Sequence, residues 1–498
     1  MVGRHVKLKC QLHVPVAQPG VCADRCSRVA IFKGKHYVNA LDRDHFSRIG
    51  MCLYCFDKTL NSDYMVFRKR IIEIFTEDKY YRWLLFGLVI AGGTSFLLAF
   101  LLVWAGPLRA LFPDPLYFPG RDFQPPYDTA LSFLKGQDPA TLYFVYFPLT
   151  IFFYLPLSYL SFNQAFIAMT LWNLLMALVL AIVAVKILKY YQVSLPAGTA
   201  WLLFLVYIFF CPATAELTSA NVNTLVACFV ALFYYFLFVK QKNVLAAVCL
   251  VVATLFKIFP AFLILVAILD RRYKFVWIFL ATLALCAIAS VLLLGIPAHL
   301  NWVGFLASGN QGGPALTYGH NATITAILYK SMQLFGMAGE GPSILFSIIW
   351  LIVRVAIVIL ILCLLFPIFR KKDEGLDRNR WIILTFSLFS VLMISLPNTA
   401  WVYYATCLAL PFILCIFCLK LNLLDRILIA LSLAFFSFNT HIANLAGFIG
   451  GSLGSFFYLL HPAAIGNLLF LTFIVIYMIR LKRGGTADET LNRNSRLQ

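Results

Sequence analysis

From residue 83 onward, long apolar runs alternate with short polar loops in which lysine and arginine are concentrated. Ten of these runs read as single spans: 83–105, 165–187, 199–213, 222–239, 274–296, 344–369, 381–396, 402–419, 426–438 and 463–480. A hydrocarbon core about 30 Å thick takes about 20 helical residues, and a shorter run spans only where neighbours enclose it. Helix is the form these runs predict, because backbone groups in lipid must bond within their own segment and the alternation of a membrane barrel is missing. The run 243–269 is different. It carries Lys257 in its middle and basic residues at both ends, so a single crossing would leave a basic cluster on each face. Two short helices meeting near Lys257 and Pro260 avoid that arrangement. The segment 144–160 is apolar but holds Pro148 and Pro156, and reads as an interfacial or re-entrant piece. The pattern predicts an all-α polytopic membrane protein of about twelve transmembrane helices. Two long loops, Gly106 to Leu160 and Pro297 to Gln333, then lie on one face.

Composition supports the membrane assignment and adds an orientation. The chain is 62% hydrophobic and 12% charged, with a mean hydropathy of +0.86, whereas soluble domains carry about 25% charged residues. Its net charge of +19 would suit nucleic acid, but the basic residues flank the apolar runs, so topology accounts for them and no nucleic-acid partner is called for. The positive-inside rule puts both termini in the cytoplasm, the two long loops on the non-cytoplasmic face, and the protein in the plasma or inner membrane. Residues 1–82 then form a cytoplasmic extension with an amphipathic lead-in from Met65, and 481–498 a cytoplasmic tail. No cleavable leader is expected, because the first long apolar run is of full span length. Cys22, Cys26, Cys52 and Cys55, with His36 and His45 between them, have a spacing that a zinc site could use, whereas a disordered extension, or a start at Met65, fits the lack of apolar periodicity there. Cysteines such as Cys228, Cys286 and Cys363 lie in apolar runs as small hydrophobes, so no disulfide framework is implied.

Carboxylates are scarce, 21 Asp and Glu in 498 residues, and three of them, Asp114, Asp122 and Asp128, fall in the first long loop. Asp122 reads either as a general base or as a solvated carboxylate beside Arg121. Asp114 reads as a turn residue between two prolines. Asp128 reads as a first-turn charge of an interfacial helix at 129–135. Lys257 sits among apolar neighbours where an unpaired ammonium costs several kcal/mol. A phosphate head group, Glu216 or snorkelling to the interface would each relieve it. Arg354, deep in its span, has no partner that the sequence names. The second loop supplies His320, Asn321 and Lys330, and Trp401, Tyr403 and Tyr404 open a later span on the same face, where interfacial aromatics are also ordinary.

These residues fall in an order that resembles the polyprenyl-phosphate-dependent mannosyltransferases of glycosyltransferase family 87, which have the GT-C membrane fold. The resemblance runs from about 83 to 420 and rests on Asp122 with Tyr127, Ala130 and Gly136, on YFPLTIFFYLPLSYL, and on Ala220-Asn221-Val222-Asn223. Lys257 with Pro260, Asn321-Ala322-Thr323 and Trp401-Val402-Tyr403-Tyr404 continue it. The chain departs where Ile258 stands for the first proline of a Lys-Pro motif and tyrosine for the usual histidine after Trp401. The resemblance implies that residues 83–480 form a GT-C-like transmembrane catalytic domain. It would be an inverting glycosyltransferase that moves a hexose, mannose in that family, from a polyprenyl-phosphate donor to a hydroxyl of a lipid or glycan acceptor. In that assignment Asp122 is the catalytic base, and Lys257, His320 and Tyr403 bind the donor phosphate. Tyr127, Asn221, Asn223, Asn321, Trp401 and Tyr404 line the substrate site. No cofactor or metal is expected, since a monophosphate leaving group can be held by cations and donors. The same span count would also suit a polytopic transporter or lipid flippase, although no internal repeat is visible.

Overall fold

The computed structural model describes residues 77–104, 119–307, 321–334, 344–370, 375–397, 399–439 and 461–495, all within the compact unit Ile71–Gln498. The described residues are overwhelmingly helical, and the one extended pairing among them is an isolated antiparallel bridge between Asn321 and Trp401. Four helical stretches are long and apolar enough to cross a membrane: Asp78–Leu101, Phe162–Tyr190, Tyr273–Leu306 and Pro462–Lys482. Thr199–Ile208 and Cys211–Ser219, bent by 68° at their junction, make a fifth if they are taken as one span. Shorter apolar helices, among them Asn223–Val239 and Val402–Cys418, fill much of the rest.

Several expectations shift at the breaks. The stretch between the predicted spans 199–213 and 222–239, which reads as an outer turn, is mostly the helix Cys211–Ser219, because Pro212 sits in the first helical turn, where a missing N–H costs nothing. Pro125 and Pro126 likewise open the helix Gln124–Leu134, so Asp128 lies one turn inside it and not in the first turn of a helix at 129–135. The span begun at Tyr273 continues as helix to Ala307 through a kink at Gly295. Lys257 meets its expectation: it is extended (φ −145, ψ 125) between the helix Asn243–Phe256 and the 3₁₀ turn Phe259–Leu263.

One end of the bundle is tied by charge. Buried Asp270 accepts from Arg378 at 2.6 Å and from Arg272 at 2.7 Å, joining the loop before Tyr273–Ala307 to the helix Gly375–Ser395. Asp425 closes a reciprocal cap with Asn422, at 2.9 and 3.0 Å, and also receives Arg480 from the last helix. Such a cap satisfies helix donors that lipid could not. The other end holds the breaks at 209–210, 220–222 and 257–258.

Between the ends the helices touch through small residues, as closely packed membrane helices do. A Cβ on Gly93 would fall 1.8 Å from the carbonyl oxygen of Phe209, and one on Gly92 2.5 Å from the Cβ of Ser437. This notch seats the first span against the break that carries the site. Gly93→Ala is therefore expected to destabilise the protein by at least the roughly 1–3 kcal/mol of an overpacked core, read as a lower unfolding temperature in detergent. Gly87→Ala, whose added methyl meets nothing within 4 Å, serves as the control and is expected to keep or raise it. An unchanged midpoint for Gly93→Ala contradicts the close approach.

Candidate active site

Asp122 is placed by backbone on both sides. Gly120, at φ +70, donates its N–H to the Thr218 carbonyl at 3.0 Å and accepts from Phe123 and Gln124 at 3.1 and 2.9 Å. The turn is thereby fixed to the end of Cys211–Ser219. A left-handed residue is required there, and a Cβ would meet the Phe162 ring at 2.9 Å, so glycine alone fits comfortably. Phe123 packs in a ring cluster with Tyr127, Tyr154 and Phe162, at centroid distances of 5.6, 6.2 and 5.9 Å. Its neighbour Asp122 is left half-buried, and the opposite end of the turn is closed by the helix it begins.

The Asp122 carboxylate is held by Asn221, whose amide Nδ2 donates to Oδ2 at 3.1 Å. Asn221 follows Ala220, which is itself left-handed (φ 50), and its own Oδ1 accepts from the Val222 N–H at 2.7 Å and from the Tyr146 hydroxyl at 3.4 Å. From the middle of Phe162–Tyr190, fully buried Asn173 donates to the Asn221 carbonyl at 2.7 Å. Beneath the turn, fully buried Glu216 accepts from the Thr224 N–H, which satisfies an otherwise orphaned donor at the start of Asn223–Tyr234. Tyr403 lies near the Asp122 carboxylate.

A cation sits across Tyr146. The bond from Phe147 N–H to the Leu255 carbonyl, 3.3 Å, brings this segment to the end of Asn243–Phe256. Lys257 Nζ consequently lies 4.8 Å above the Tyr146 ring and 4.5 Å above that of Tyr404, to whose hydroxyl it donates at 3.0 Å. Cation–π contact with two rings and one neutral acceptor replaces part of the water that burial removes. No carboxylate among the described residues forms an ion pair with Lys257. Glu216, offered by the sequence as its counter-ion, is engaged with Thr224 and makes no ion pair with it.

The predicted residues thus divide. Asp122, Asn221, Lys257, Tyr403 and Tyr404 converge, linked through Tyr146. Tyr127 donates to the Leu160 carbonyl at 2.7 Å and packs in the ring cluster, away from the carboxylate. Asn321 acts as a latch: its Oδ1 accepts from Thr323 and Ala400, at 3.1 and 3.3 Å, and its backbone pairs with half-buried Trp401. That latch sets where the 3₁₀ segment Val402–Leu408 begins, and so where Tyr403 and Tyr404 point. Asn223 is fully buried at a helix start and its amide finds no partner among the described residues. Lys330 is buried on Ile324–Leu334, and burial pulls its ammonium down to about 7, a poor cation for a phosphate. His320, Asp114 and the cysteine and histidine residues of the first 64 positions lie outside the described residues. Tyr146 and Asn173 are members that the sequence did not mark as site residues. Asn173 carried a signal, a polar amide inside an apolar span; Tyr146 lay at the start of the segment YFPLTIFFYLPLSYL in the resemblance, with no role read for it.

A family profile described as glycosyltransferase family 87 matches residues 144–395, just over half of the chain. The chain belongs to glycosyltransferase family 87. It is accordingly a membrane glycosyltransferase, and its work is to move a sugar from a donor to an acceptor, which sets aside the transporter and flippase alternatives. No curated protein and no solved structure matches the chain. The matched region of this family 87 protein contains Tyr146, Asn173, Glu216, Asn221 and Lys257, whereas Asp122 and the Tyr403–Tyr404 pair flank it.

The role of Glu216 is open to a direct check. Glutamine keeps the oxygen that accepts from Thr224, so Glu216→Gln is expected to unfold within roughly 1 kcal/mol of the parent, while Glu216→Ala strands a buried N–H and loses about 1–3 kcal/mol or more. Thermal unfolding in detergent separates them. Equal losses in the two variants would mean that the charge, and therefore Lys257, is the partner that matters.

Proposed function

We propose that this glycosyltransferase uses a polyprenyl-phosphate sugar, with mannose the favoured hexose, and transfers it with inversion to an acceptor hydroxyl. The observation that carries the proposal is one oriented carboxylate and one half-buried ammonium, free of any ion pair among the described residues, gathered around Tyr146. In the transfer, the acceptor oxygen forms a bond to the anomeric carbon as the bond from that carbon to the phosphate oxygen breaks. Asp122 takes the hydroxyl proton, and the polyprenyl phosphate leaves with the electron pair. Charge grows on the phosphate during this step, and Lys257 with the hydroxyls of Tyr404 and Tyr403 is the group suited to stabilise it. His320 is a further candidate from sequence. Inversion needs the base and the leaving group on opposite faces of the sugar ring, and two separated groups of opposite charge fit that need.

Asn221 has a part in the same step. By donating to Oδ2 it orients the carboxylate that receives the proton. A lipid-linked donor also suits a site built where spans break: its tail stays in the bilayer and contributes binding energy while the sugar phosphate reaches polar side chains. The reading includes an active site on the non-cytoplasmic face of a plasma or inner membrane, about twelve crossings and cytoplasmic termini, since the basic loops gather opposite the site.

Asp122→Asn is the deciding variant. It keeps shape and most hydrogen bonding but cannot accept the proton, so turnover is expected to fall roughly 10²- to 10⁴-fold while donor binding survives. Asp138→Asn, at an exposed cap where asparagine serves as well as aspartate, is the control and is expected to stay within a few-fold. The assay is sugar transfer from farnesyl phosphate mannose in detergent, with donor binding measured separately. Near-parental turnover of Asp122→Asn on that donor places the base elsewhere.

A further inference from the structure

Two of the cavities among the described residues are lined almost wholly by apolar side chains, one along Ile258–Phe262 and Leu392–Pro397 and one between Leu85 and Leu433. A third has a different chemistry. It encloses about 430 Å³ between the helix Gln124–Leu134 and the segment leading to Tyr143, within the roughly 300–1,000 Å³ of small-molecule sites. Its wall includes Arg121, Gln124, Asp128, Ser132, Gln137 and Tyr143. The wall of the cleft includes Arg121, the residue before Asp122, while Asp122 itself faces Asn221.

We propose that this cleft binds the remote part of the acceptor, and that this part is a neutral, polyhydroxylated glycan head. The inference rests on the glycosyl-transfer reading and goes beyond it by naming the acceptor class and its binding residues. Three observations carry it. The walls are fixed before any ligand arrives: Thr129 Oγ1 bonds the Pro125 carbonyl at 2.8 Å and the Tyr143 carbonyl at 2.7 Å, tying the helix to the facing segment. Tyr143 also packs edge-on to Phe305 at 4.9 Å, and Asn301 donates to the Ala140 carbonyl, anchoring that segment to Tyr273–Ala307. A preformed site binds without an ordering cost.

The second observation is charge. Arg121 and Asp128 contribute one cation and one anion, so the cleft has no net charge with which to select a phosphate or an ammonium group. The third is hydrogen-bonding character. The amides of Gln124 and Gln137 and the hydroxyl of Ser132 both donate and accept, as sugar hydroxyls do, and none of these side chains has a hydrogen-bond partner among the described residues. Tyr143, 53% exposed, adds an aromatic face of the kind on which the C–H side of a pyranose rests. A simple alcohol or a diacylglycerol would leave these groups with water alone. An acceptor glycan seated here reaches the reacting centre by extending one hydroxyl past Arg121 toward Asp122.

The test uses the full chain in detergent with farnesyl phosphate mannose and farnesyl phosphate glucose as donors. Octyl mannoside, methyl mannoside and octanol are offered as acceptors, and slow donor hydrolysis by water is followed in parallel. The parent is expected to use a mannoside with a KM at least about tenfold below that for octanol. Use of either mannoside supports the inference, the octyl compound alone meaning that a lipid anchor adds to glycan binding. Loss of two hydrogen bonds in Gln124→Ala/Gln137→Ala is expected to raise the mannoside KM roughly ten- to hundredfold and to leave donor hydrolysis unchanged. Ser132→Trp, which fills the cleft, is expected to do the same. The inference is overturned if the parent shows no preference for the mannosides, if both variants keep the parental preference, or if hydrolysis falls with transfer, because the damage then lies at the catalytic centre. No turnover of either donor by the parent, hydrolysis included, defeats the donor reading itself and this inference with it.

Discussion

The hydrogen bond from Asn221 to Asp122 is the contact on which the rest of the site depends, because a carboxylate at the end of a turn has no orientation of its own. Four elements converge to hold that one amide. Ala220 takes a left-handed conformation that costs a non-glycine residue roughly 1–2 kcal/mol, and the offset comes from bonds around it: Asn173 to the Asn221 carbonyl, Glu216 to Thr224, and Asn221 to its own chain at Val222. Each is buried, so each would be expensive to leave unmade. Strained backbone of this sort persists only where its surroundings over-determine it.

Irregular backbone is tolerated at membrane depth only when it is enclosed by protein, and that constraint explains where the breaks fall. The junction at 209–210 is enclosed by Gly93, the one at 220–222 by Asn173 and Tyr146, and the one at 257 by Tyr146 and Tyr404. All three breaks gather at one end of the bundle. The charged locks at Asp270 and Asp425 hold the other end, where helix starts can be capped and paired. Rigidity at that end and interrupted helices at this one let the spans act as a frame for polar groups that could not stand alone in lipid.

Much of this was legible in the sequence, for reasons that differ by residue. The break at Lys257 could be read because charge asymmetry forbids a straight crossing of 243–269. Asp122 stood out because carboxylates are rare in this chain, although its choice over Asp128 and the selection of Asn221 came through family resemblance. The helix at Cys211–Ser219 was hidden by Pro212, which marks a helix start as readily as a turn, and the same ambiguity at Pro125-Pro126 displaced Asp128. The Glu216–Lys257 pairing failed because sequence distance says nothing about competition from a backbone donor, here Thr224. Tyr146 opens the segment YFPLTIFFYLPLSYL that the resemblance includes, but its place beside Lys257 depends on a backbone bond between Phe147 and Leu255, over a hundred positions apart, which no local pattern encodes.

The Asp122 carboxylate and the Lys257 ammonium form no direct ion pair, and a direct pair would occupy each with the other in place of any ligand. Tyr146 touches both neighbourhoods, giving its hydroxyl to Asn221, the partner of Asp122, and its ring to Lys257. Tyr404 occupies the ammonium with a neutral oxygen in place of a carboxylate. An aromatic neighbour can partly satisfy a cation without cancelling it, whereas a water-filled gap would screen both charges. The density of tyrosine and phenylalanine around this site is therefore part of its electrostatics as well as of its packing.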